Sequence, residues 1–432
     1  MKKIFSLVAC SLVSLSMFAE GYQVNLQSAR QAGMGHVGAG MKLGAESMHF
    51  NPAGLTSIQN TVDLSAGVSG VFTNAEYRNG DYKHKADNGV STPMYVYAGF
   101  KIYDNLAAGI SVTTPYGSGL NWGKDWAGAH LVQDISLKSF NFQPTIAWKP
   151  IDKLSIGAGL MIMTGDVEIS RALLPKGYLG ILDPKLKDVI PVSATLSGKS
   201  KIGLGFNIGA QYDITDQITV GVSYRSRVKM KVNEGKGELT YASEAIKKLL
   251  SSIPGLPLPI LEQGSFDASM PMPSNLNVGV SYKPTERITL AAELQFVGWA
   301  AYDSLNIKFT ESALGEYNIN AEKNYRNTFI YRIGAEFKTT DRLDLRVGAY
   351  YDETPVRSYL YNPETPGMNK LGLTFGFTFS PVRNLFIDGA FTYTHGFERF
   401  GSYPDDASKD KVFTGDYKVS AFTPTLGLRY SF

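Results

Sequence analysis

The stretch GYQVNLQSARQAGMGHVGAGM, residues 21–41, and the HFNPAGL that follows at residues 49–55 decide how the rest of the chain must be organised. This segment is rich in glycine and weakly charged, and neither a helical nor a strand period runs through it for long. It cannot bury enough apolar surface to offset the entropy of ordering its backbone. We therefore expect residues 20–60 to be ordered inside the structure that the following residues form.

Alternation of apolar and polar residues begins directly after this segment and continues to the end of the chain. Side chains of a strand point to opposite faces in turn, so each alternating run predicts a strand with one apolar face. Fourteen such runs centre on residues 62–68, 94–102, 106–112, 138–148, 154–164, 202–212, 218–232, 276–282, 288–296, 329–337, 343–351, 371–379, 385–393 and 419–432. This pattern suits a barrel wall between lipid and a wet lumen, whereas a soluble sandwich would leave too many open edges.

The predicted fold class is an all-β transmembrane barrel of about 14 antiparallel strands, formed by residues 61–432, with residues 20–60 as a plug in the lumen. Every second connection is short, at residues 104–105, 149–153, 213–217, 283–287, 338–340 and 380–384. The other connections are long. An even number of strands with short turns on one side predicts that both termini are periplasmic.

Residues 1–19 have the composition of a secretory signal peptide, with Lys2 and Lys3 before an apolar run and Ala19 at the cleavage position. The single cysteine, Cys10, lies within this run and would be removed with it; the alternative is a lipoprotein site that leaves Cys10 lipidated. A mean hydropathy of −0.10 excludes a helical membrane protein. The net charge of +3 argues against nucleic acid as the partner.

Several short motifs resemble the long-chain fatty-acid transporter (FadL-type) family of outer-membrane proteins. Those before the first strand resemble the family's N-terminal hatch: Gln23, Asn25, Gly33-Met34-Gly35 and Asn51-Pro52-Ala53. Others follow at residues 115–117, 125–130, 141–147, 293–302, 331–336, 346–350 and 354–356, but the long loops depart from the family pattern. The resemblance implies a fourteen-stranded barrel plugged by its N-terminus, which agrees with the strand count.

The function predicted on this basis is passive outer-membrane transport of hydrophobic small molecules, with long-chain fatty acids as the leading class. The resemblance implies capture at extracellular loops, movement of the plug and sideways exit near a kink in the third strand, where Gly109 lies. A strand glycine can mark a bulge, or can be a small residue facing the plug. The alternatives are uptake of aromatic hydrocarbons, or an adhesin or receptor barrel whose plug stays closed.

The partners expected are the outer-membrane lipid bilayer with its lipopolysaccharide and a hydrophobic ligand, and the protein is expected to be a monomer. We expect neither an enzyme nor a cofactor or metal site. The five histidines are scattered without metal-ligand spacing, and no G-x-S-x-G context marks a nucleophile.

Three groups of residues are candidates for the transport path. We expect Asn51-Pro52-Ala53 to anchor the plug to the wall, because proline stiffens the turn and asparagine can bond neighbouring backbone; an ordinary surface turn is the alternative. The second group is apolar and lies in two long loops: Leu173, Leu174, Ile246, Leu249 and Leu250. It could capture substrate or could form the core of a loop lid, and residues 243–250 should form a short amphipathic helix.

The third group is a pair of lumenal arginines, Arg332 and Arg346. A three-residue turn at 338–340 would place them directly opposite each other, so acidic partners are required, with Glu293 and Asp344 as candidates. The sharper hypothesis is that one of these arginines binds a substrate carboxylate. A rival basic stripe, Arg225, Arg227, Lys229 and Lys231, is expected to be solvated.

Overall fold

The computed structural model describes residues 21–256, 258–259, 261–404 and 412–432. The predicted signal peptide, residues 1–19 with Cys10, lies outside the described residues. The described chain forms a closed antiparallel barrel of 14 strands. Closure is direct, because the first strand pairs with both the second strand and the last. The predicted fold class is confirmed.

Many of the strands consist of two segments separated by a short break. The strands are β1 (Val62–Ser69 and Phe72–Asn79), β2 (Tyr82–Lys85 and Met94–Tyr103), β3 (Leu106–Thr113 and Gly117–Asn121), β4 (Asp134–Ile151), β5 (Leu154–Ala172), β6 (Val192–Lys199 and Gly203–Asp213), β7 (Ile218–Arg225 and Val228–Tyr241), β8 (Gln263–Met272 and Asn275–Thr285), β9 (Ile288–Val297 and Ser304–Phe309), β10 (Ile319–Glu322 and Thr328–Thr340), β11 (Leu343–Asp352), β12 (Lys370–Val382), β13 (Leu385–Gly396 and Arg399–Pro404) and β14 (Val412–Ser431).

The helices are short and are not part of the wall: they lie in residues 21–60, in the connections and in the breaks between strand segments. They are α1 (Ala29–Ala32), α2 (Ser47–Phe50) and α3 (Glu244–Ser251), with single 3₁₀ turns at Gly44–Glu46, Pro52–Ser57, Tyr178–Ile181, Pro184–Leu186, Trp299–Ala301, Ser312–Tyr317 and Ser358–Leu360. Across the described part of the chain, no helix has the length and apolar character needed to cross a membrane.

The alternating pattern of the sequence separates the two faces of the wall. Outward side chains such as Val96 and Ile110 are exposed, whereas inward ones such as Ser111 and Ser223 are buried. The inward residues are buried because residues 21–60, the plug, fill the lower lumen, which we define as the half beside the short turns. Plug backbone groups bond wall side chains on several sides of the barrel, as when Gly35 N donates to Thr374 Oγ1 (2.9 Å).

The register expected between β10 and β11 is wrong. Their turn is the pair at 341–342, and a bulge beside Thr340 keeps residues 338–340 within the strand. Arg332 therefore faces Tyr350, four positions from the residue expected, and Glu336 faces Arg346. The bulge absorbs the polar residues that looked like a turn in the sequence, because such residues can also continue a strand.

Candidate ligand-binding site

An apolar cavity of about 100 Å³ lies in the upper lumen, the half of the barrel beside the long loops. Its wall comes from β4–β9, whose outer segments turn apolar side chains inward. The main lining residues are Leu137, Val167, Met230, Val232, Phe266, Met270, Met272, Leu305 and Ile307. An apolar cavity of this kind can bind a hydrophobic molecule because burial removes the apolar surface of both from water.

The floor of this inner cavity is Tyr22, the second described residue of the plug. Its ring packs edge-on against Trp299 and Tyr302, with centroids 4.8 and 5.7 Å apart. Its hydroxyl donates a hydrogen bond to the Pro271 carbonyl. The plug thus closes the cavity with an aromatic side chain that is held on three sides.

An outer cavity of about 510 Å³ lies above the inner one, between the long loops. Both cavities are lined by Ile169, Leu196, Leu305, Ile307 and Glu364, so they adjoin. Polar groups are added in the outer cavity by Arg171, Glu238 and Asn320. A molecule that enters from the loops would therefore pass from a mixed surface to an apolar one.

One buried ion pair lies where the two cavities meet. Lys323 Nζ is 2.7 Å from Glu364 Oε2, and the Lys323 side chain is 3% exposed. Burial lowers the pKa of Lys323, whereas the Glu364 carboxylate and then the Tyr302 hydroxyl raise it. Together the raising effects are larger, so the pKa lies above its ordinary value and the amine stays protonated. The cation is thus neutralised by its own partner.

The five loop residues predicted to capture substrate separate into two groups. Leu173 lines the outer cavity and also packs against the edge of the loop cluster formed by the others. Leu174, Ile246 and Leu250 are instead buried in a cluster between the β5–β6 and β7–β8 loops, and Leu249 packs against that cluster. The predicted helix is present as α3, capped by the Ser243 hydroxyl, and its apolar face is covered by the neighbouring loop. For these four, the geometry supports a loop core rather than an exposed groove.

The third strand breaks at residues 114–116, between the two segments of β3. The plug fills this break with backbone hydrogen bonds: Val24 N donates to Pro115 O, and Gly117 N donates to Tyr22 O, both at 2.8 Å. Gln23 pairs with Tyr116 as in an antiparallel bridge. Residues 22–24 therefore pair with the broken part of β3 as an extra strand segment on the lumenal side of the wall.

Gly109 does not lie at this break. It pairs in regular register with Gly99 and with Thr145. A Cβ there would lie 2.8 Å from Met48 Sδ of the plug, so glycine allows the plug to approach the wall. Of the two roles considered for Gly109, the geometry matches that of a small residue facing the plug, and the strand breaks at residues 114–116, beginning five residues further on. A part for Gly109 in lateral exit stays a prediction.

Asn51 joins the plug to two wall strands. Its Nδ2 donates to Ala39 O (2.8 Å) in the plug, and to Ala210 O (3.0 Å) in β6 and Val222 O (3.3 Å) in β7. Its Oδ1 accepts from Ala53 N (3.2 Å), and the side chain is fully buried. Pro52 lies against Gly157 of β5, where a larger residue would collide with it. This geometry is that of an anchor.

The two predicted lumenal arginines both have acidic partners. Arg332 Nη1 lies 2.7 Å from Glu293 Oε1, whose other oxygen accepts from the plug amides of Gly38 (2.7 Å) and Ala39 (2.6 Å). The structural pairing of Arg332 with Glu293 is thus present, and it extends to the plug.

Arg346 has partners of its own. Its Nε is 2.7 Å from Glu336 Oε2, and its Nη2 is 3.8 Å from Asp344 Oδ2. Asp344, expected diagonal to Arg332, faces Lys338 in the observed register. It lies beside Arg346 because the two residues are two positions apart on the same face of β11. Two paired arginines favour the structural network over a substrate carboxylate site at these positions.

The basic stripe of β7 is solvated only in part. Arg227, Lys229 and Lys231 are exposed, as expected, but Arg225 is 7% exposed and faces the lumen. The break between the two segments of β7 shifts the alternation by one residue, so inward positions are odd before it and even after it.

Sequence reasoning missed the inner cavity. The same shift of alternation at the breaks turns Met230 and Val232 inward, where a continuous alternation had placed polar residues. Phe266 lies in a strand segment, Gln263–Met272, that the sequence analysis had left within a long loop. A signal was present at residues 270–273, Met-Pro-Met-Pro, which is apolar on both faces and contains two prolines. Proline cannot donate to a ladder, so such a run marks a break.

The fold and site define a class: a closed transmembrane-type β-barrel with an internal plug and an apolar cavity in its lumen. The family model described as "Outer membrane protein transport protein (OMPP1/FadL/TodX)" matches residues 10–432, so the chain belongs to this family of outer-membrane transport proteins.

Relatives and solved structures agree with this assignment. A putative outer membrane protein of Neisseria meningitidis serogroup B is 24% identical, covering 91% of this chain and 90% of its own. A long-chain fatty acid transport protein of Salmonella typhi is 23% identical over 90% of each chain.

Two crystal structures share the fold. A Pseudomonas aeruginosa FadL homologue superimposes with a TM-score of 0.79 at 19% identity, covering 95% of this chain and all (100%) of the other. The Pseudomonas putida toluene transporter TodX has a TM-score of 0.72 at 19% identity, covering 96% and 99%.

Proposed function

We propose that this protein conducts hydrophobic small molecules, long-chain fatty acids foremost, passively across the outer membrane. The observation that carries the proposal is the apolar inner cavity, closed below by Tyr22 and adjoining a larger outer cavity. Lipopolysaccharide resists apolar molecules, and a water-filled pore offers them no favourable contact. A buried methylene contributes about 0.8 kcal/mol, so an apolar cavity can extract an acyl chain from water.

The sizes of the two cavities support fatty acids over small aromatics. The inner cavity has a volume of about 100 Å³, which is less than the roughly 150 Å³ of an engineered cavity that accepts benzene. The inner cavity alone is therefore too small for a long acyl chain. A long acyl chain would extend into the outer cavity of about 510 Å³, where Leu173 lies. Uptake of aromatic hydrocarbons is the second candidate, supported by the likeness to a toluene transporter.

The exit proposed is sideways through the wall at the β3 break. Residues 22–24 close this break with two backbone hydrogen bonds, and Tyr22 of the same segment closes the cavity floor. One movement of this segment would therefore open both the floor and the wall. Loops would capture the ligand, the plug segment would move, and the ligand would leave into the bilayer.

The orientation follows from the loop lengths. We infer that the short turns and both termini face the periplasm, and that the long loops face outward. Lys201, Arg227, Lys229 and Lys231 are exposed on neighbouring edges of β6 and β7, where they suit lipopolysaccharide phosphates. A single closed barrel contains the whole path, so we propose a monomer.

Two measurements test the function. Mass spectrometry of ligands retained through mild purification should find fatty acids, and cells that lack their own uptake protein should gain oleate uptake. Retention of small aromatics alone would favour the second candidate.

A disulfide lock separates a moving plug from a permanently closed one. Gln23→Cys with Tyr116→Cys joins the plug segment to the β3 break, because these residues are paired across a bridge. Oxidation should abolish uptake and reduction should restore it. Val71→Cys with Ser91→Cys is the matched control, since these residues form a comparable bridge between wall segments. Equal uptake in oxidised and reduced lock would contradict movement of this segment.

A further inference from the structure

A small polar cavity lies on the inner side of the β3 break. It has a volume of about 30 Å³ and is lined by Pro115 and Tyr116 of the break, and by Arg225, Asn275 and Gln295 on the opposite side. A water molecule needs roughly 10–15 Å³ of such volume, so the cavity holds about two oxygen-sized groups. It lies beyond Tyr116, whose ring is 6.3 Å from the ring of Tyr22 that forms the floor of the apolar cavity.

Arg225 differs in its partners from three other arginines that face the lumen. Arg332, Arg346 and Arg429 each form an ion pair of 2.6–2.7 Å with a carboxylate. Within the described residues, Arg225 forms no ion pair. Its Nη1 donates to the imidazole of His49, 2.6 Å from Nε2, and its Nη2 contacts Met161 Sδ at 3.6 Å.

The histidine does not neutralise this charge. Burial, and then the positive charge of Arg225, lower the pKa of His49 well below its ordinary value, so the imidazole is neutral and accepts a hydrogen bond. The acidic residue among those lining the cavity is Glu293, which is already committed to Arg332 and to two plug amides. A buried cation without a counter-charge is costly, and an incoming anion would remove that cost.

A neighbouring amide can supplement the guanidinium. The Nδ2 of Asn277 donates to Ser223 Oγ (3.1 Å). Its NH₂ group has a second hydrogen, so it can donate once more. The fork of the Arg225 guanidinium with this amide thus has the donors for both oxygens of one carboxylate.

We propose that Arg225 forms a carboxylate-binding site at the inner face of the β3 break, where it receives the headgroup of an ionised fatty acid. This inference rests on the proposed function. Met161, which contacts Arg225, belongs to the same apolar cluster as Tyr22 and Met272, so the site adjoins the apolar path. A fatty acid that moves past Tyr22 with its headgroup leading would therefore meet Arg225 before it leaves through the wall.

The test compares dodecanoate with methyl dodecanoate, by calorimetric titration of the purified protein in non-ionic detergent. Arg225→Gln should weaken dodecanoate binding roughly ten- to hundredfold, the effect of losing a charged hydrogen bond, and leave the ester unchanged. Arg227→Gln is the matched control, since Arg227 is exposed two residues further on. It should change neither affinity.

Stability provides a second readout. Arg225→Gln removes a buried charge without orphaning a carboxylate, so the empty protein should melt no lower than the wild type. If this variant does not fold, Arg225→Lys keeps the charge but lacks the planar fork, and dodecanoate binding should fall by a smaller factor while ester binding is kept.

Three results would overturn the inference. Unchanged dodecanoate binding in Arg225→Gln would mean that no carboxylate reaches Arg225. Equal losses for acid and ester would mean that Arg225 only shapes the path. If the wild type binds neither ligand, the proposed function itself fails and the carboxylate site fails with it.

Discussion

The lower and upper halves of the lumen are built on opposite chemistry. In the lower half, hydrogen bonds and ion pairs join the plug to the wall, as at Asn51 and at Glu293. In the upper half, Met230, Val232 and Phe266 line a cavity that the protein leaves unfilled. Buried polar partners are costly to lose, whereas an apolar cavity can be emptied and refilled. The difference suggests a fixed part and a working part in one barrel.

The largest effect is expected where the plug and wall share one carboxylate. Glu293→Gln removes the counter-charge of buried Arg332 and should lower the free energy of unfolding by about 3–5 kcal/mol. Urea unfolding in detergent measures this loss. Glu286→Gln, in an exposed turn, should change stability little. A Glu293→Gln variant as stable as the wild type would show that the lower half is not held by this pair.

A smaller loss is expected at the plug anchor. Asn51→Ala removes hydrogen bonds to Ala39, Ala210 and Val222, which should cost about 1–3 kcal/mol and cut uptake while the barrel still folds. Limited proteolysis of the plug and oleate uptake measure the two effects. Asn105→Ala, in an exposed turn, is the control. Unchanged uptake at normal surface abundance would reduce the motif to an ordinary turn.

In the upper half of the lumen, a substitution should change the affinity for ligand rather than the stability of the protein. Val232→Thr adds a hydroxyl to the inner cavity, so affinity for methyl dodecanoate should fall by about 1 kcal/mol, roughly fivefold. The melting temperature should change little because the hydroxyl can bond nearby backbone. Val222→Thr, on the outward face of the same strand, is the matched control. A loss of stability without a loss of affinity would contradict the comparison.

The sequence predicts the lower half better than the upper half for a physical reason. Period-two alternation follows from strand geometry, so the 14 strands could be counted directly. Asn51 and Glu293 are polar residues in a predicted lumen, so each was expected to form a hydrogen bond or an ion pair there. Breaks in β7 and β8 shift the alternation by an amount that the local sequence does not fix, so the inner cavity was missed. The error in the β10–β11 register has the same origin, a bulge next to a turn.

The smallest effect concerns the loops, where the two explanations of the apolar residues can be separated. Leu173 lines the outer cavity, whereas Leu250 is 2% exposed inside the loop cluster. Leu173→Ser should lower fatty-acid affinity by less than about 1 kcal/mol, because Leu173 is already half-buried. Since Leu173 packs only against the edge of the loop cluster, the variant should speed cleavage of the loops by protease much less than Leu250→Ser does.

Leu250→Ser should do the reverse. It removes a buried side chain from the core shared by α3 and the β5–β6 loop, so protease should cut these loops faster, and binding should fall only as far as the loops unfold. Leu249→Ser, at the edge of the cluster, should lie between these two. Ligand affinity and the rate of loop cleavage, measured together, distinguish a loop core from a capture site. If Leu250→Ser weakens binding while its loops stay intact, the cluster itself captures the ligand, and the working part of the molecule begins at the loops rather than at the cavity.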